Sequence, residues 1–476
     1  MNIPPHAGES GEPEGALRAV YLWLAAGVGA LGGLLFGYDW VVIGGAKPFY
    51  EIYFHLTSPA LEGWAMSCAL IGCLAGAAAA GAASDRFGRK RLLTLAALVF
   101  AVSSLGTALT TRFAAFVVWR IAGGCAIGLA SGVSPMYIAE ISPARLRGRL
   151  VSLNQLAIVF GILLAQVVNW LIARPVPPHA SALEILASWN GQWGWRWMFG
   201  VTAIPSLLFL VSTFMAPESP RWLAAKNRGA EALRVLERLG GPAYARRVIQ
   251  DFSAASGAET PRASWHEFLS PGVPGALLLG VTLAILQQWC GINVIFNYAQ
   301  DIFAAAGYQI SGILFNIVIT GAVNVVFTLV ALALIDRYGR RFLLLGGTAG
   351  LASIYTVLAA FYWLHLAGKP MLVLVLAAIA CYAMSLAPAT WVVIAEIFPN
   401  RIRGGAMSVA VTALWAACFV LTYTFPILDA ALSTAGVFWI YAGICLAGFV
   451  FLYLRLPETR GKTLEEIEVR IRTGNL

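Results

Sequence analysis

Charge is scarce in this chain. Only 12% of its 476 residues are Asp, Glu, Lys or Arg, about half the fraction usual in soluble domains. A soluble protein of this length would divide into several domains joined by polar linkers, and no such linkers recur here. Acids are fewer than bases, 23 against 32, and histidine occurs five times. The seven cysteines (68, 73, 125, 290, 381, 418 and 445) lie in apolar surroundings, and none forms a CxxC or metal-ligand spacing. This excludes a disulfide framework or a thiolate metal site, leaving small buried residues. There is no nucleophile–base pair, phosphate-cradling loop or cluster of metal-ligating residues. No enzyme activity, cofactor or metal is therefore expected.

What the chain has instead is long apolar runs, each of about 20 residues or more, enough for a helix to cross roughly 30 Å of hydrocarbon. The pattern predicts an all-α polytopic membrane protein with twelve spans, near 18–45, 61–84, 92–111, 114–139, 149–172, 195–216, 274–300, 312–335, 342–366, 370–393, 405–428 and 434–456. Long runs in place of ten-residue alternation argue against a β-barrel. The first 17 residues are polar, and the first apolar run is too long for a cleavable signal peptide.

The formal net charge of +9 could suggest a nucleic-acid partner, but the bases crowd alternate loops, as orientation in a membrane requires. Arg86, Arg89, Lys90 and Arg91 follow span 2, and Arg145, Arg147 and Arg149 follow span 4. More basic residues fill the middle loop, follow spans 8 and 10, and stand in the tail. The opposite loops carry only Lys47, Arg112, Arg174, Arg196 and Lys369. Both termini are thus expected in the cytoplasm, with no nucleic acid bound.

The punctuation repeats. "GAASDRFGRKR" follows span 2 and "ALIDRYGRRF" follows span 8, with Asp336 standing 251 residues after Asp85. "PMYIAEISPARLRGRL" follows span 4 and "WVVIAEIFPNRIRGGAM" follows span 10. Glu140 to Glu396 and Arg147 to Arg403 are both 256 residues. "PESPRWL" after span 6 is matched by "PETRGKTLEE" after span 12. Two parallel six-helix repeats are a known transporter architecture, with the substrate site between them near mid-membrane. The expected organisation is a tail (1–17), a first bundle (18–216), a linker of short amphipathic helices (217–273), a second bundle (274–456) and a final tail (457–476). Leu233, Leu236 and Leu239 in the linker have helical spacing.

Asp39 interrupts "GLLFGYDWVVIGG" and is the sole charge between Val20 and Ala46. An ionised side chain at mid-bilayer costs roughly 2.5–3.5 kcal/mol on insertion scales. Arg120 falls at similar depth in span 4, which runs the other way, so the two are expected to pair. The pair is either a static ion pair or a proton-binding carboxylate whose neighbour approaches and withdraws. Uncharged amides form a second group. Gln155, Ile162, Gln166 and Asn169 fall within about 40° of one face of span 5. Asn316, Thr320, Asn324 and Thr328 make an i, i+4 stripe in span 8. Span 7 carries Gln287, Gln288, Asn293 and Asn297, with Gly291 as a place to bend. Amides donate and accept, which suits neutral polyols, although lone amides can also join helices. At the basic helix ends, Asp85, Arg86, Arg89, Glu140 and Arg147, with Asp336, Arg337, Arg340, Glu396 and Arg403, could form inter-helix pairs that hold the cytoplasmic face shut, or serve as topological anchors.

Together, the paired DRxGRR motifs, PESPRWL, PETRGKT, "RIAGGCAIGLASGVSPMYIAEISP" and "QQWCGINVIFNYA" resemble the sugar porter family of the major facilitator superfamily, most of all its bacterial proton-linked xylose and hexose symporters. The resemblance runs from Gly32 to Glu466 and implies the major facilitator fold. It implies sugar contacts from Gln155, Gln287, Gln288, Asn293 and Asn324, with Trp391 and Trp415 near the sugar. It implies a proton-coupling acid at Asp39, and pairs from Glu140 and Glu396 to Arg86 or Arg89 and to Arg337 or Arg340. Ile162, Leu386 and Asn297 depart from the Gln, Trp and Tyr of xylose-type members, and Leu414 and Cys418 stand where amides are common. The expected function is import of a monosaccharide, hexose or pentose, with a proton, by alternating access in a monomer of the inner or plasma membrane. The alternatives are a passive facilitator with a structural Asp39–Arg120 pair, a non-transporting sugar sensor, and a drug or organic-ion antiporter.

Overall fold

The computed structural model describes residues 19–177, 180–257, 270, 272–366, 368–398, 402–458 and 460. Among them there are helices and no strands. The first half contains α1 (Ala19–Tyr53), α2 (Pro59–Phe87), α3 (Arg89–Leu109), α4 (Phe113–Ile141), α5 (Ala144–Ile172), a short α6 (Ala182–Ala187), a π turn (Asn190–Gly194), α7 (Trp195–Gly200) and α8 (Ala203–Met215). The linker forms α9 (Pro220–Ala225) and α10 (Gly229–Gly257). The second half contains α11 (Val273–Trp289), α12 (Ile292–Asn297), α13 (Ala299–Ala305), α14 (Ile310–Tyr338), α15 (Arg340–Trp363), α16 (Lys369–Met384), α17 (Leu386–Ile397) and α18 (Arg403–Arg455).

Eleven helical stretches among the described residues are long and apolar enough to cross a membrane. The eleventh, Gly405–Arg455, has 51 residues and breaks at Ser433, where φ is 64°. Each arm exceeds the roughly 20 residues a crossing needs, so the chain crosses twelve times, as its apolar runs predict. Large apolar side chains such as Leu171, Phe214, Leu278 and Val373 remain exposed because lipid is their solvent. The linker leucines turn inward in α10: Leu236 and Leu239 are buried and Leu233 is half-buried.

Helix ends follow local chemistry. Ser58 caps α2 by accepting the Leu61 N–H, and Pro59 opens the helix, where a missing N–H does no harm. Gly88 and Gly339, at φ 97° and 87°, end α2 and α14 in a region open to glycine. That is the physical reason for glycine in both DRxGRR motifs. Small residues seat α2 against α4. A Cβ on Gly72 would lie 2.0 Å from the Ile121 carbonyl oxygen, and one on Gly124 would lie 1.9 Å from that of Ala69. Backbones can approach this closely only without side chains, as in other membrane helix pairs.

Candidate functional site

Asp39 of α1 and Arg120 of α4 meet. The Arg120 Nη1 donates to both carboxylate oxygens of Asp39, at 2.9 and 3.0 Å, and Nη2 reaches the Asp39 carbonyl at 3.5 Å. Both residues are buried, 6% and 4% exposed. The guanidinium also lies 5.3 Å from the Phe199 ring centre. Burying either charge alone would be costly, and removing one partner of such a pair typically costs about 3–5 kcal/mol. A small cleft beside the pair is lined by Asp39, Trp40, Ile43 and Arg120 of the first half and Asn297 of the second. The charge pair thus faces the junction of the halves.

The amides line that junction. Gln166 donates to Thr320 Oγ1 across it at 3.4 Å. Gln287 reaches the carbonyls of Leu386 and Ala387, both at 3.3 Å, and Gln288 donates to Gln287 at 3.4 Å. Asn293 donates to Gln288. Asn324 and Thr328 are buried on α14. Several side-chain oxygens, among them Gln166 Oε1 and Asn297 Oδ1, are buried with no hydrogen-bond partner among the described residues. Buried acceptors normally have partners, so these are left unsatisfied in this conformation. Gln155 and Trp391 are half-buried. The departures Ile162 and Leu386 are buried, and the Leu386 carbonyl accepts from Gln287.

Trp415 is 3% exposed and belongs to an aromatic group that spans both halves. Its ring centre lies 5.7 Å from Phe36 and 5.8 Å from Trp40, and those two are 6.1 Å apart. Sequence reasoning missed Phe36 and Trp40. The available signal was their position three residues before and one after Asp39, on a helix already marked as functional. Span 7 does break: α11 ends at Trp289 and α12 resumes at Ile292, around Gly291 with φ 86°.

At the face carrying the repeated basic motifs, Arg89 Nε pairs with Glu140 at 2.9 Å and Nη2 with Asp85 at 3.2 Å. Arg340 Nη2 pairs with Glu396 at 3.2 Å. Of the two partners left open for each glutamate, these are the ones in contact. Arg86 and Arg337 rest over the rings of Phe87 and Tyr338, and Arg86 is exposed. Arg147 donates to the Ala139 carbonyl at 3.2 Å. The side chains of Asp336 and Arg403 lie outside the described ones. Each glutamate pair joins helices within one half and does not bridge the halves. Two acids escaped sequence reasoning. Glu218 accepts the backbone N–H of Arg89 (2.9 Å) and Lys90 (3.0 Å). Glu458 accepts those of Arg340 (3.2 Å) and Arg341 (3.1 Å). Each carboxylate caps the positive end of a helix, and the repeated Pro-Glu was the signal.

One assignment needs correction. The charge pattern puts Lys47 in a loop, on the view that a lysine ends a membrane span. α1 instead continues to Tyr53, and Lys47 is buried inside it, 2.9 Å from Asp301 and 3.2 Å from Glu51. Carboxylates from both halves neutralise it. At this same far face α1 touches α12 closely: a Cβ on Gly44 would lie 2.8 Å from the Asn297 carbonyl oxygen. A Cβ on Gly63 of α2 would lie 2.3 Å from that of Tyr423 in α18. The halves are closed together at the far face.

The family model described as "Sugar (and other) transporter" matches residues 25–470. The D-xylose-proton symporter of Escherichia coli K12 is 38% identical, over 94% of this chain and 95% of its own. The glucose transport protein of a Synechocystis strain is 38% identical, over 94% and 97%. The partially occluded inward-open form of the E. coli xylose transporter superposes with a TM-score of 0.82 at 35% identity, covering 93% of this chain and all of the other. A matching family model over nearly the whole length, a shared fold and the paired helix-end motifs make this chain a member of the sugar transporter family of the major facilitator superfamily.

Proposed function

We propose that this chain imports a monosaccharide, a hexose or pentose, together with a proton by alternating access. It acts as a monomer in the inner or plasma membrane, with the motif face and both termini in the cytoplasm. The relatives' names, a D-xylose-proton symporter and a glucose transport protein, support the substrate class. The positive-inside bias supports the orientation.

The observation that carries the proton is the buried Asp39–Arg120 pair at 2.9 Å. A proton on Asp39 cancels the charge that holds Arg120, freeing α1 to shift against α4. The same helix carries Phe36 and Trp40, which touch Trp415 in the second half. Loading the proton therefore moves one wall of the sugar cavity. Sugar hydroxyls satisfy the open amide acceptors, and the aromatic group covers the apolar face of the ring. Binding both solutes favours exchange of the open side. One proton moving through 100 mV yields about 2.3 kcal/mol, enough for a roughly fiftyfold sugar gradient.

Uptake into proteoliposomes with a panel of pentoses and hexoses tests this, with and without an imposed pH gradient. Accumulation above equilibrium only with the gradient is expected. Equal equilibration in both conditions would favour the facilitator reading.

A further inference from the structure

Lys47 has no place in the proton or sugar site, yet it is a buried lysine in a membrane helix, and such a group needs partners. Its partners come from both halves. Glu51 of α1 lies at 3.2 Å and Glu62 of α2 at 3.9 Å; Asp301 of α13 lies at 2.9 Å. Asp429 of α18 lies within electrostatic reach of Lys47 and Asp301. The Tyr298 ring centre is 5.6 Å from Nζ, and Tyr50, which precedes Glu51 on α1, donates to Met66. Two acids of the first half and Asp301 of the second therefore contact one cation, with Asp429 of the second half in electrostatic reach.

This arrangement joins the two halves at the face where they are closed together. Asp301 and Asp429 move with the second half, so opening withdraws them from Lys47 while Glu51 stays one helical turn away. Closing gains a short cross-half ion pair, at a lysine whose side chain is 5% exposed. It also crowds carboxylates. Glu51 and Asp301 both touch the same nitrogen, at 3.2 and 2.9 Å, so they lie within about 6 Å of each other and share one ammonium. Glu51 Oε1, Asp301 Oδ2 and Asp429 Oδ1 are each buried without a hydrogen-bond partner among the described residues. A proton shared in the cluster supplies a missing donor and reduces the repulsion.

We infer that Lys47 with Glu51, Glu62, Asp301 and Asp429 is a latch on the outer face, and that closing it takes up a proton distinct from the one on Asp39. The proton belongs to the cluster and not to one residue. The inference rests on the alternating-access part of the proposed function and is independent of which sugar is carried and of coupling through Asp39.

The test is the distance between spin labels on Thr57→Cys and Gln309→Cys, both exposed at the outer ends of opposite halves, in lipid nanodiscs between pH 5.5 and 8.5. The protein without added cysteines sets the background. The ratio of short to long distances should rise on acidification by up to tenfold per pH unit, the slope of one proton. Lys47→Met should shift the population to the long distance. The swap Lys47→Glu with Asp301→Lys should restore the short one, which a mere folding defect would not allow. Glu51→Gln should flatten the pH dependence, and Asp39→Asn should leave it in place. A swap that fails to restore closure, or Lys47→Met with unchanged distances, would overturn the latch. A pH dependence that is absent, or that disappears with Asp39→Asn, would overturn the second proton.

Discussion

Gly44 offers a direct probe of how the halves meet. It lies on α1 where a Cβ would stand 2.8 Å from the Asn297 carbonyl oxygen and 3.1 Å from that of Phe296. Both obstacles are backbone, so neither can turn aside like a flexible side chain. Gly44→Ala must push α12 away by a few tenths of an ångström, and Gly44→Val by more. Overpacking of this kind typically costs about 1–3 kcal/mol. The strain falls on the form closed at this far face, where α1 meets α12. The ratio of outward-open to inward-open protein should therefore rise roughly 5- to 150-fold. Spin-label distances across the outer face would report that rise directly. In proteoliposomes the maximal exchange rate should fall while the folded yield stays normal. Gly27→Ala is the control, since nothing lies within 4 Å of its Cβ position. If Gly44→Ala changes neither the distances nor the exchange rate, the α1–α12 contact is not part of the transport cycle.

Gln288→Ala should weaken sugar binding about tenfold, measured by calorimetry, because a buried amide bonding hydroxyls contributes about 1–2 kcal/mol; unchanged binding would remove α11 from the sugar site. Glu218→Gln should lower the unfolding temperature more than Arg86→Ala, since Glu218 caps two backbone N–H groups while Arg86 is exposed over a ring. The reverse order would show that the cap contributes little. Arg120→Met should reduce the folded yield in an otherwise unchanged chain, and Asp39→Asn in the same molecule should recover it, because the two residues neutralise each other at 2.9 Å. No recovery would mean that Arg120 acts through other neighbours.

Much of the architecture could be read from the residues because lipid imposes simple demands. Apolar runs locate the crossings, and an acid at the depth of an arginine on a neighbouring span predicts their contact. Gly291 marks a break that occurs where glycine permits φ 86°. The features that escaped share a cause: they depend on the partner and not on the residue. Lys47 reads as the end of a span until Asp301, 254 positions away, is seen to neutralise it. Glu218 and Glu458 read as loop acids until the helix starts they cap are in place. Trp40 is one tryptophan of 16, and only its packing on Trp415 sets it apart. Which arginine of each motif meets its glutamate, Arg89 and Arg340 here, is set by helix geometry that sequence spacing does not encode.

The central claim is that the buried carboxylate of Asp39 couples the proton to the sugar. Asp39→Asn keeps the shape and much of the hydrogen bonding but cannot ionise, and it leaves the amides of α5, α11, α12 and α14 untouched. The decisive measurement compares gradient-driven accumulation with exchange of labelled for unlabelled sugar, on the same folded mutant in liposomes with an alkaline interior. If Asp39 couples the proton, accumulation vanishes while exchange continues. Accumulation of sugar against its gradient by the Asp39→Asn variant would contradict it.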